Sequence, residues 1–132
     1  LLLTKALLFK ILLHCILPLV AGAIVYLYFR QGGLMGYTLG NNTRMKDPGL
    51  LLQTLPDFLW AYSLASALFL FFGYTGLPFT WSAGVILVIL LASEIIQLWF
   101  PGRFTFDFMD LGATVLAFLL STLYFKQHTH EK

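Results

Sequence analysis

The chain has 132 residues, of which 59% are hydrophobic and 11% charged, with a formal net charge of +2. A water-soluble domain carries roughly a quarter charged residues, so this composition excludes one and points to a small integral membrane protein. The slight positive charge, with no basic patch interleaved with aromatics, gives no support to nucleic-acid binding.

A hydrocarbon core about 30 Å thick needs roughly 20 apolar residues as helix. Four stretches qualify, at about 6–29, 57–73, 80–100 and 108–125. The expected fold is an all-α membrane protein, a bundle of four transmembrane helices forming one domain over 1–132. The first stretch is too long for a signal-peptide core, and Ala21-Gly22-Ala23 runs on into more apolar sequence, so a spanning helix is expected. It contains Lys10, which can snorkel to the interface, and His14, either a proton-relay group or a histidine satisfied by one interhelical hydrogen bond. Cys15, the single cysteine, has no intrachain disulfide partner and no metal-ligand pattern around it, and reads as a small buried hydrophobe.

Residues 30–56 form the one sizeable loop, rich in Gly, Asn and Pro. Its Asn41-Asn42-Thr43 matches a glycosylation sequon, a pattern short enough to arise by chance, and Leu50 to Leu55 returns to apolar sequence at the membrane surface. Pro56 and Asp57 fit the start of the second helix, where the backbone dipole favours an acid. That helix carries Ala61, Ser63, Ala65, Ser66 and Ala67, small residues suited to close helix packing. A tight uncharged turn over 73–79 leads to the third span, and a polar tail follows the fourth. His128 and His130 in that tail are too sparse for a metal site. Trp60, Trp81, Trp99, Tyr28, Tyr62 and Tyr124 fall near span ends, as in an aromatic belt.

With four spans, both termini share one side with the second loop. Lys5, Lys10, Lys126 and Lys132 on that side equal in number Arg30, Arg44, Lys46 and Arg103 on the other. Acidic neighbours of Arg103 tip the positive-inside balance toward cytoplasmic termini. The acids segregate more sharply. Asp47, Asp57, Glu94, Asp107 and Asp110 belong to the side of the first and third loops, and Glu131 alone to the other.

Ionisable residues in or beside a span are costly and mark functional sites by default. Glu94 lies about two turns below the end of the third span, and Gln97 shares its face. Asp107 and Asp110 share a face near the start of the fourth. Pro101-Gly102 reverses the chain, which lets Arg103 reach Glu94 or Asp107, while Asp57 and Trp60 enter from the second span. The expectation is a polar pocket at one interface, built from Glu94, Gln97, Arg103, Asp107, Asp110 and Asp57. The competing explanation is a staple, with Arg103 paired to one acid and Gln97 hydrogen-bonding across helices simply to fix packing. One arginine among four acids favours a site that takes a cation, proton or substrate.

Glu94-x-x-Gln97, Pro101-Gly102-Arg103 and Asp107-x-x-Asp110, at these spacings between two apolar spans, resemble the VanZ-like membrane proteins over about residues 56–125. Members typically carry a Glu-x-x-Gln pair, a Gly-Arg step and an Asp followed by a short helix. The chain departs from the pattern in two places. Gly112, Ala113 and Thr114 occupy the stretch where the family often has an asparagine. Pro56-Asp57-Phe58-Leu59-Trp60 replaces the lysine or histidine often found at the start of the family's second span. It resembles a divergent member. The resemblance implies a bacterial inner-membrane protein tied to the cell envelope, in a family whose founders are associated with tolerance to the glycopeptide teicoplanin. It does not imply an enzyme.

Four functions follow as expectations. The first is an envelope protein whose pocket binds a lipid or lipid-linked polar group, such as an envelope precursor, with Arg103 meeting a phosphate or carboxylate. The second is a membrane-surface enzyme with Glu94 as general base and Asp107 or Asp110 orienting it or holding a divalent cation. The third is a transport subunit, oligomeric, with Glu94 and His14 carrying protons. The fourth is an accessory scaffold in a homo-oligomer or larger membrane complex. The sequence has no nucleophile motif, P-loop or paired cysteines, and no cofactor or resident metal is expected.

Overall fold

The computed structural model describes residues 4–29, 50–99 and 108–129. Every element among them is helical: α1 (Lys5–Ile11), a π-helical turn (Leu12–Ile16), α2 (Leu17–Phe29), α3 (Leu50–Thr75), α4 (Phe79–Trp99) and α5 (Phe108–Thr129). The protein is an all-α bundle. Four stretches among the described residues are long and apolar enough to cross a membrane: Lys5–Leu27, Thr54–Thr75, Phe79–Trp99 and Phe108–His128.

The first span starts with Thr4, whose side-chain oxygen accepts from the Leu7 N–H at 3.3 Å and caps α1. The helix then widens over Leu12–Ile16, and the Leu17 N–H donates to the Leu12 carbonyl, five residues back. Pro18 supplies the reason. It has no N–H for the His14 carbonyl, and its ring crowds that same carbonyl. The chain relieves both by opening one π turn just before the proline. Ser63 on α3 donates to the Cys15 carbonyl at 2.6 Å, satisfying an acceptor inside the widened turn.

The second span differs from the sequence expectation at its start. The helix already runs at Leu50, so Pro56 stands inside it, and the apolar Leu50–Leu55 stretch is helical. Asp57 is thus past the first turn, where a helix dipole fades, and the N-terminal explanation for it does not hold. At the far end Gly76, with φ +76, takes the left-handed position that closes a helix, and the Leu77 N–H donates to the Phe72 carbonyl at 3.2 Å. Pro78 follows and α4 begins at once.

α3 is the central helix: it packs extensively on the first span (the π turn and α2) and on α5, and less on α4. Ala61 and Ala65 on α3 and Ala117 on α5 are buried. Small residues let backbones approach closely, which is how helices associate where lipid removes the hydrophobic drive between them. Above these, Phe69 stacks on Phe79 at 5.3 Å and on Phe125 at 5.4 Å, tying α3, α4 and α5 together. On α4 the buried residues are Ser82, Ile86, Leu90 and Glu94, one stripe at every fourth position. The outward apolar side chains, such as Phe9, Val88 and Leu123, suit acyl chains.

The aromatic belt needs correction. Trp81 and Trp99 do project outward at helix ends. Trp60, Tyr62 and Tyr124 instead make interhelical contacts. Trp60 lies against the notch at Gly22 and 5.6 Å from the Tyr26 ring. Tyr62 and Tyr124 close on His14. Tyr28 has no described side chain.

Candidate functional site

The buried stripe of α4 dictates where Glu94 points. Three four-residue steps from Ser82 bring position 94 to the face already turned toward the bundle. The residue is 7% exposed. Thr114, on the buried stripe of α5, donates its hydroxyl to Glu94 Oε1 at 2.9 Å. The second oxygen, Oε2, is buried and has no hydrogen-bond partner among the described residues. A carboxylate that is left part-solvated by one neutral hydroxyl is expensive in an apolar bundle.

Of the residues expected to surround it, Gln97 is half-buried one turn further along α4, Asp110 is half-buried in the first turn of α5, and Asp57 is half-buried on α3. The end of α4 and the start of α5 lie at one end of the bundle. Glu94 is five residues from Trp99, about 7.5 Å below the helix end. Arg103 and Asp107 lie outside the described residues, as do the loop residues Asp47, Arg30, Arg44 and Lys46. Among the described residues no group of three or more His, Cys, Asp and Glu is placed to hold a metal ion.

Thr114 was missed from the sequence as a partner of Glu94. A signal was present: Thr114, Ala117, Phe118, Ser121 and Phe125 make a buried stripe at helical spacing, and the polar residue nearest its start faces the same interior as Glu94.

A second polar group occupies the other half of the bundle. His14 is buried, with Nδ1 2.8 Å from the Tyr62 hydroxyl and its ring 4.2 Å from that of Tyr124. Thr114 and Tyr124 are ten residues apart on one helix, about 15 Å along its axis. Between them the buried face of α5 carries Ala117 and Phe118, and the Ser121 hydroxyl donates to the Phe118 carbonyl at 2.9 Å. This separation counts against a proton route running from Glu94 to His14.

Compared with protein-family models, with curated proteins and with solved structures, the chain matches none.

Proposed function

We propose that this is a VanZ-like protein of the bacterial inner membrane, whose polar site around Glu94 binds the head group of a lipid or a lipid-linked envelope precursor. The observation that carries the proposal is the Glu94 carboxylate, buried on the inner stripe of α4 with one oxygen held by Thr114. The other oxygen is available to a donor group entering from the nearby membrane face. Gln97, Asp57 and Asp110 border the same end, and Arg103 and Asp107 complete the site by sequence proximity. Arg103 meets a phosphate or carboxylate, while Glu94 and Gln97 take hydroxyl or amine donors.

Charge placement supports cytoplasmic termini. Among the described residues Lys5, Lys10 and Lys126 lie toward the terminal end and Asp57, Glu94 and Asp110 toward the opposite one. The head-group site then faces the outer leaflet.

Native mass spectrometry of delipidated protein tests the binding. The probes are phosphatidylglycerol, phosphatidylethanolamine and a polyprenyl phosphate. The wild type is expected to retain one of these selectively, and Glu94→Gln to bind it about tenfold more weakly, the difference between a charged and a neutral hydrogen-bond acceptor. Equal binding of all three probes by both proteins would overturn the proposal.

A further inference from the structure

We infer that His14 is a proton-operated latch on the first span: neutral, it seats the span against α3 and α5, and protonated, it releases α1. The inference is independent of the Glu94 site.

The latch begins with Pro18. Its missing N–H opens the π turn over Leu12–Ile16, and His14 is the buried residue of that turn. Its ring reaches two helices at once. Nδ1 lies 2.8 Å from the Tyr62 hydroxyl on α3, and the ring packs against Tyr124 at 4.2 Å and Phe125 at 5.9 Å on α5. Nε2 is buried with no partner among the described residues. By contrast, α1 has no buried residue. His14 is therefore the first firm attachment met along the span, and the segment before it is joined to α2 through a turn already widened from α-helical to π-helical hydrogen bonding.

The groups around the ring make it sensitive to charge. On its own element these are Lys10, one turn earlier, and the Cys15 thiol. From α3 there is Tyr62. From α5 there are Tyr124 and, stacked on Tyr124 at 4.3 Å, His128. None of these described groups is a carboxylate. Neutral His14 and the Tyr62 hydroxyl share one hydrogen bond at Nδ1, its direction set by the imidazole tautomer. An imidazolium donates from Nδ1 to the Tyr62 oxygen and meets the Tyr124 and Phe125 rings, but its Nε2–H is buried with no acceptor among the described residues. It also faces a lysine and a second histidine without a counter-ion. A buried charge without a counter-ion is strongly disfavoured. A state in which His14 swings to the interface binds the proton better, so acid shifts the population toward it. The π turn is the hinge, and α2 stays in place because Trp60 fills the Gly22 notch.

Spin labels at Lys5→Cys and Lys126→Cys, in a Cys15→Ser background in lipid nanodiscs, report the distance between the two ends. Moving from pH 8 to pH 5 is expected to lengthen it reversibly by about 5 Å, the travel of a seven-residue helix tipping by about 30°. His14→Gln is expected to abolish the change, and His128→Gln to keep it. If His14→Gln does not fold, the His128→Gln protein still carries the test, because it must lengthen. Distances that stay fixed with His14 present, or that lengthen equally in His14→Gln, would overturn the latch.

Discussion

Replacing Phe69 by alanine is expected to destabilise the bundle by about 3–5 kcal/mol, the usual cost of deleting a buried aromatic ring. Phe69 is 5% exposed, and its ring lies between those of Phe79 and Phe125. Its loss opens a void at the point where α3, α4 and α5 meet, and each neighbouring ring loses its stacking partner. In a bilayer these dispersion contacts supply most of the association between helices, since lipid tails are as apolar as the side chains. Phe71→Ala is the control. That ring is 60% exposed on the outer face of the same helix, and its removal should change stability by no more than about 0.5 kcal/mol. Denaturant titration in detergent micelles reads both. Equal losses from the two variants would mean that the three-ring stack does not hold the helices.

Gly22→Leu should separate the first span from α3. A methyl group at position 22 alone would meet the Trp60 ring at 2.8 Å and Leu59 Cβ at 3.2 Å. The ring cannot yield easily, because it also packs on Tyr26. A leucine adds three further carbons to that contact. Overpacking costs about 1–3 kcal/mol where the structure adjusts. Here the adjustment available is movement of the whole span, so the loss should reach the upper end of that range. Trp60 fluorescence, in a background with the exposed Trp81 and Trp99 changed to Phe, should shift to a different environment. Unchanged emission with full stability would show that the two helices do not meet at this notch.

The spans were legible in the sequence because their apolar length is set by the bilayer, a constraint that needs no tertiary knowledge. The start of α3 was not. Pro56 reads as a helix opener, but a helix already under way can carry a proline, and Leu50–Leu55 gave no period that separates a surface segment from a helix. Glu94 stood out because a carboxylate in a span is rare, and its burial follows from the fourfold spacing with Ser82, Ile86 and Leu90. Thr114 did not stand out, since a lone threonine in an apolar helix resembles many lipid-facing ones. Sequence distance from the span ends points Tyr62 and Tyr124 to the interface. Only the packing of three helices brings them to His14. The link between His14 and Pro18 was present as a four-residue spacing, the separation at which a proline removes a helical hydrogen bond.

The central claim is that Glu94 is kept for a ligand and not for the fold. Thermal unfolding of purified, delipidated protein in detergent, wild type against Glu94→Gln, tests it most directly. Glutamine keeps the shape and the oxygen that accepts from Thr114 while removing the charge. The account predicts stability unchanged within about 1 kcal/mol or increased, because a buried carboxylate with one neutral partner is a cost to the bundle. A loss of about 3–5 kcal/mol, the effect of breaking a buried ion pair, would contradict it and make Glu94 a packing staple.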